Sequence, residues 1–392
     1  MTKAKTIAGT ATPGGTERYA ESHPDLVFAP LGSIGLSVSE AGFGSYRVDV
    51  SERAHELALI LALRSGINLI DTSANYADGG SELLIGKVLA EMTAQGSITR
   101  EQVVVVSKAG YLQGANYQLS QERKAAGNPF ADLVLAGQGL EHCIHPEFLA
   151  DQITRSLARL NLQSLDCCLL HNPEYYLTVA KAEGLPVEQA RLEYYRRIGM
   201  AFRHLEQEVQ AGRIVSYGIS SNTFPGSADD YNFTSLAKVW GIAGDISANH
   251  HFRVVEFPLN LLETGAVLRK NQPMGQSLLE FAREKNLGVL INRPLNAIVG
   301  DRLVRLAENH YAGDGVTQAH HFRDKVAALD EAWSSAETLS QIALRAIRST
   351  AGISAVLVGM RAEEYVEDVL AELRRTCPVA SRVDSWQKVE DL

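Results

Sequence analysis

INLIDTSANYADGGSELLIGKVLAEM, residues 67–92, places an apolar run, a polar loop and a helical pattern in immediate succession. The run INLIDTS at 67–73 is near-continuous in apolar residues, the pattern of a strand buried on both faces in a parallel sheet. GSELLIGKVLAEM behind it has helical spacing. The same alternation recurs outward in both directions. Apolar runs stand at VVVVSKAG (103–110), LDCCLLHNP (165–173), IVSYGISSN (214–222), FRVVEFPLN (252–260), GVLINRPLN (288–296) and SAVLVGM (354–360). A weaker run, AGFGSYRV at 41–48, precedes them. Helical patterns lie between, such as RAHELALILALRSG, which Ser51 is placed to cap, and HPEFLADQITRSLARLNL, with Pro146 in its first turn. Eight strand–helix alternations predict an α/β fold, a (β/α)8 TIM barrel. A doubly wound open sheet is the competitor, but no Gly-x-Gly-x-x-Gly follows the first strands.

The long intervals after the third and seventh strands mark insertions at about 111–145 and 297–333. Loops that follow barrel strands sit on the face that carries chemistry, so these are candidates for substrate contacts, with Tyr111, Tyr117 and Phe130 as pocket walls. Residues 1–25, rich in Thr, Gly, Ala and charge, are expected to be a flexible tail, with the barrel over 26–392.

The chain has 392 residues, 45% hydrophobic and 21% charged, enough for a sizeable core. Its net charge of −9 argues against nucleic acid as a partner. No apolar stretch reaches the roughly 18 residues of a membrane span. No basic n-region precedes an apolar h-region, so no secretory signal is expected. Cys143, Cys167, Cys168 and Cys377 show no Cys-x-x-Cys spacing and fit a reducing cytoplasm. The pairs His250-His251 and His320-His321 point to opposite faces and do not make a metal site.

Asp71, Lys108 and His171 end successive apolar runs, and Tyr76 lies five residues past Asp71. Singly each has an ordinary explanation, such as a helix cap for Asp71 or a snorkelling Lys108. Four titratable groups converging on one rim of a barrel make a candidate active site.

With its Asp, its Tyr five residues on and its Ser-Glu-x-x-Ile-Gly, the segment 70–86 resembles the aldo-keto reductase superfamily. Lys108 and His171 complete that family's tetrad. LGSIGLSVSEAGFG, 31–44, is similar to the family's N-terminal β-hairpin leading into the first strand. The resemblance implies hydride transfer between a nicotinamide cofactor and an aldehyde, ketone or sugar carbonyl. It casts Tyr76 as general acid and base, Lys108 as the ammonium that lowers its pKa, Asp71 as the partner of Lys108, and His171 as the hydrogen-bond donor to the carbonyl oxygen.

It also implies cofactor contacts. Ser220, Ser221 and Asn222 would meet the carboxamide. Glu256 stands where the family often has Gln. Asn292, Arg293, Pro294 and Leu295 stand where it has Tyr-Ser-Pro-Leu. GMRAEEYVED, 359–368, would hold the adenosine end through Gly359, Met360, Arg361, Tyr365 and Asp368. Arg361 favours the 2′-phosphate of NADP, whereas Glu363, Glu364, Glu367 and Asp368 favour a free ribose and hence NAD; NADP is the expected cofactor. Two other functions remain open. One is a cofactor-binding regulatory or redox-sensing protein with little turnover. The other is an aldolase using Lys108 as a Schiff-base nucleophile, although Asp71 would keep that amine charged.

Overall fold

Alternation by two along each apolar run decides which side chains enter the barrel. The structure, a computed structural model, describes residues 6–299, 302–307, 314–334 and 337–392. Eight strands carry the alternation: β1 (Ala41–Gly44), β2 (Leu69–Asp71), β3 (Val104–Ala109), β4 (Leu165–His171), β5 (Ile214–Ser220), β6 (Phe252–Pro258), β7 (Gly288–Asn292) and β8 (Ala355–Gly359). Each pairs in parallel with its neighbour in the chain, and β8 returns to β1 from Val356–Ala41 to Gly359–Gly44, which closes the cylinder. The helices that follow are α1 (Arg53–Arg64), α2 (Gly80–Ala94), α3 (Pro146–Leu160), α4 (Val187–Gln210), α5 (Leu236–Ile246), α6 (Leu278–Glu284), α7 (Leu339–Arg348) and α8 (Glu363–Leu373). The chain is thus a (β/α)8 barrel.

The two faces of the strands form separate cores. Leu69, Val104, Val106, Cys167, Leu169, Val254, Leu290 and Leu357 fill the interior. Phe43, Ile70, Val105, Cys168, Tyr217 and Phe257 pack outward with the apolar faces of the helices. Burying each such side chain stabilises the fold by about 1.5–3 kcal/mol. The adjacent cysteines therefore serve opposite faces, Cys167 inward and Cys168 outward.

The N-terminal end of the cylinder is stoppered. A hairpin of Phe28–Pro30 against Ser37–Ser39 delivers Leu31, Leu36 and Val38 into the interior cluster. Gly32 has φ +53°, and a Cβ on it would lie 2.2 Å from the Gly288 nitrogen, so the hairpin tip needs glycine there. Beneath it, the buried Asp166 carboxylate accepts from the Ala11 and Val105 amides at 2.7 Å each and from Arg100 at 2.7 Å.

Two expectations are corrected here. Residues 6–25 are not a flexible tail: Pro13–Glu21 is a helix whose N-cap, Thr12, accepts from the Gly15 amide, and the buried Tyr19 hydroxyl donates to the Leu63 carbonyl. Residues 1–5 lie outside the described residues. Ser51 does not cap α1; its hydroxyl bonds Asp49, and Glu52 holds the cap position without a side-chain bond.

Both insertions lie beyond strand ends on the C-terminal face. Residues 111–145 hold a helix, Gly114–Ala125, and a three-stranded antiparallel sheet of Tyr111–Leu112, Leu140–His142 and Val134–Gly137. Within 297–333, Asn296–Val299 pairs with Arg302–Arg305 and a helix spans Asp314–Ala327; residues 300, 301 and 308–313 lie outside the described residues. Among the described residues, no helix is long and apolar enough to cross a membrane.

Candidate active site

Two residues beyond each interior apolar side chain, the strands carry a polar layer at the C-terminal rim. Leu69 leads to Asp71, Val106 to Lys108, Leu169 to His171, Val254 to Glu256 and Leu290 to Asn292. Ser220 joins the layer, in register with His171 on one side and Glu256 on the other. Apolar packing below and period-two geometry thus converge these groups on one end of the cylinder.

Lys108 is the hub. Its Nζ lies 2.5 and 2.6 Å from the two Asp71 carboxylate oxygens, 3.3 Å from the Tyr76 hydroxyl and 3.3 Å from Glu256 Oε2. The side chains of Lys108, Asp71 and Glu256 are at most 5% exposed. The Tyr76 backbone N–H donates to the Ser73 carbonyl, and the chain then takes three left-handed residues in a row, Ala77, Asp78 and Gly79. Each of the two non-glycines costs about 1–2 kcal/mol. The Asp78 carboxylate holds the turn by accepting from the Ala115 amide at 3.0 Å, which ties the Tyr76 loop to the first insertion.

His171 Nδ1 lies 3.0 Å from Ser73 Oγ. Its ring meets Tyr76 at 5.9 Å between centroids and Tyr111 at 4.6 Å, both edge-on. Burial, followed by the charge of Lys108, holds the imidazole well below the usual histidine range, so it is neutral. His142 packs edge-on to Tyr111, Nε2 2.7 Å from the His171 carbonyl, and burial lowers it to about 4.

The balance at Tyr76 runs against the expected tuning. Burial pushes the phenol above its usual value, Lys108 pulls it down, and the charges of Asp71 and Glu256 push it up again; the net direction is upward. Burial pulls Lys108 down, but Asp71, Glu256 and Tyr76 together raise it above an ordinary lysine. Asp71 is raised, first by burial and then by Glu256.

The expected cofactor residues fall into several places. Ser220 and Asn292 each donate to Glu256 Oε1 at 2.9 Å, beside Lys108. Ser221 bonds Thr223, and the Asn222 amide donates to Glu174 at 2.8 Å. Arg293, with φ +52°, pairs with Glu263 at 2.7 Å; Pro294 is buried and Leu295 half-buried behind it. At the end of β8, Gly359 opens to solvent, Met360 is buried, and Arg361 and Tyr365 are half-buried. Asp368 is not brought to the rim cluster: its carboxylate bonds Ser340 and Gln341 of α7. Phe130 is no pocket wall; it is 3% exposed in a small core with Leu112, Cys143 and Phe148. Tyr111 does face the site through His171. His250 packs edge-on to Trp240 and His251 bonds Glu206. Among the described residues, no cluster of His, Cys, Asp or Glu is arranged for a metal.

Ser73, His142 and Glu174 were missed from sequence. The signal for Glu174 was available, since it lies three residues beyond His171 on the same rim.

The family model for the aldo/keto reductase family matches residues 41–389. The NADH-specific methylglyoxal reductase of Escherichia coli (strain K12) is 27% identical over 199 residues, 47% of this chain and 56% of its own. L-galactose dehydrogenase of Arabidopsis thaliana is 32% identical over 124 residues, 30% of this chain and 38% of its own. The chain therefore spans only about half, or less, of the length of these curated relatives. Among solved structures, a glycerol dehydrogenase from Gluconobacter oxydans matches with TM-score 0.59 at 18% identity, covering 93% of this chain and 94% of that one. An aldo/keto reductase from Klebsiella pneumoniae in complex with NADP and acetate matches with TM-score 0.53 at 17% identity, covering 92% and 95%. These likenesses carry the fold, and the sequence match carries the lineage: the chain belongs to the aldo/keto reductase family.

Proposed function

We propose that the protein is a nicotinamide-dependent oxidoreductase that interconverts an aldehyde, ketone or sugar carbonyl with its alcohol, with Tyr76 as the proton donor and acceptor. The observation that carries this reading is the contact of the Tyr76 hydroxyl with a Lys108 ammonium that Asp71 holds, at a rim shared with a neutral His171.

Residues present at the rim fit the cofactor. Asn292 Oδ1 and Glu174 Oε2 are buried oxygens without hydrogen-bond partners among the described residues, and both suit the NH2 of a carboxamide. Ser220, Ser221 and Asn222 flank them. Arg361, at the entry to α8, would take a 2′-phosphate, while the exposed Glu363 and Glu364 in its first turn oppose one. NADP is the first choice and NAD the second; relatives bound to NADP and specific for NADH support testing both.

A nicotinamide held there, with Asn292 and Glu174 toward its carboxamide, would supply hydride for a carbonyl carbon. His171 would steady the carbonyl oxygen by hydrogen bonding through the ring nitrogen that does not face Ser73. Tyr76 delivers its proton as charge develops on that oxygen. The Lys108 ammonium stabilises the phenolate left behind, and Asp71 fixes the ammonium. In oxidation the same phenolate takes the proton back. An aldolase role for Lys108 needs an uncharged amine, which two adjacent carboxylates oppose. The free cysteines support action in a reducing cytoplasm.

A panel of aldehydes, ketones and aldoses, read at the nicotinamide absorbance band with NADPH and with NADH, tests the reading. Turnover of at least one carbonyl class is expected. Tight cofactor binding with no turnover across the panel would instead favour a regulatory protein.

A further inference from the structure

One carboxylate is enough to hold an ammonium in place, yet Lys108 has two. Asp71 reaches it from β2 and Glu256 from β6, on the far side of the cylinder. The Glu256 side chain is 3% exposed. Ser220 and Asn292 both donate to its Oε1, and Oε2 lies toward the Lys108 ammonium. Hydrogen bonds from two neighbouring strands thus fix which oxygen meets the lysine. A neutral amide of the same length could keep contacts to Ser220 and Asn292 and still present no charge to Lys108. The charge is the distinguishing feature of this position.

We propose that Glu256 is a positioning residue that counterbalances Lys108, keeps Tyr76 as a phenol, and so biases the site toward proton donation, the carbonyl-reducing direction. This rests on the role proposed above for Tyr76. With Asp71 alone, the lysine pair is neutral and an ionised Tyr76 brings the cluster to one negative charge. With Glu256 ionised as well, the same step brings it to two, inside a buried site where like charges repel strongly. The titratable groups facing Lys108 and Tyr76 are Tyr46 beyond β1, Asp71 of β2, His171 of β4 and Glu256 of β6. The nearby side chains of β5 and β7 are the neutral Ser220 and Asn292. Among the described residues Lys108 alone favours the phenolate, while burial first and then the charges of Asp71 and Glu256 oppose it.

The test needs no substrate. Tyrosinate absorbance is titrated in the full-length wild-type protein and in Glu256→Gln, each corrected by the same background carrying Tyr76→Phe, so that only residue 76 is read. In Glu256→Gln the residue-76 midpoint is expected at least about one pH unit below that of the wild type. Glu256→Asp, which restores the charge, should return most of that shift. An equal or higher midpoint in Glu256→Gln, or no residue-76 signal below its alkaline unfolding, would overturn the proposal. If the Gln variant fails to fold by circular dichroism, Asn292→Ala and Ser220→Ala, which free Glu256 Oε1, replace it: the midpoint must move in either direction, and an unmoved one counts against the proposal. Failure of the proposed function shows elsewhere, as undiminished turnover in Tyr76→Phe.

Discussion

Glu174 shows how one side chain makes the site depend on pH. It is 5% exposed, one oxygen accepts from the Asn222 amide, and burial pushes its carboxyl up to about 7. Between the ordinary carboxylate value and about 7, the folded chain holds a proton that the unfolded chain has lost. Stability therefore falls as pH rises through that window. Glu174→Gln should remove this contribution, about 2–4 kcal/mol for a shift of this size, and flatten the difference between urea midpoints at pH 5 and pH 8. A variant whose midpoints keep the wild-type pH slope would refute it. Asp71, Tyr76, Lys108 and His171 were legible in the sequence because each sits at a strand end or just past one. The bond of Ser73 to His171 and the ion pair of Glu256 to Lys108 were not, since both join residues far apart in the chain. The upward balance at Tyr76 comes first from burial and then from the charges of Asp71 and Glu256 against Lys108; a one-lysine, one-aspartate reading left out the burial and the second carboxylate and gave the opposite sign.

Among the elements, β5 and β6 approach each other closely at Gly218. A Cβ on Gly218 would lie 1.8 Å from the Val254 carbonyl oxygen, at the irregular step in register between the two strands. Gly218→Ala should cost about 1–3 kcal/mol or more and lower the melting temperature. Because Ser220 is two residues on, cofactor affinity should weaken with it; an unshifted melt would contradict the close approach. All eight strands were legible from apolar runs with alternate faces, including β1, the weakest. The first helix, Pro13–Glu21, was not recognised, although Thr12 followed by Pro13 is a helix start and Tyr19 its buried anchor. Its mixed polar composition hid a helix that packs on the outside of the barrel through few residues. The turn at 77–79 was also hidden, because Ala77 and Asp78 give no sign of left-handed backbone and are held there by the insertion.

At the scale of the whole molecule, the two ends of the cylinder divide the work. The hairpin stopper and the Arg100–Asp166 pair occupy the N-terminal end, and the polar layer occupies the other. Asp166→Ala removes one partner of a buried ion pair and orphans the Ala11 and Val105 amides. It should cost about 3–5 kcal/mol in denaturant unfolding while leaving kcat per folded molecule nearly unchanged; a large loss of kcat at full folding would show that the ends are coupled. The barrel itself was legible because eight runs at strand-plus-helix spacing have few other solutions, whereas the assignment of loop aromatics to pocket or core depends on packing no run of residues encodes. The most direct test of the central claim is turnover by Tyr76→Phe with the best carbonyl of the panel, alongside its affinity for the nicotinamide cofactor. A drop of at least about 100-fold in kcat with cofactor affinity retained is the expected result; wild-type kcat in the variant would contradict the account.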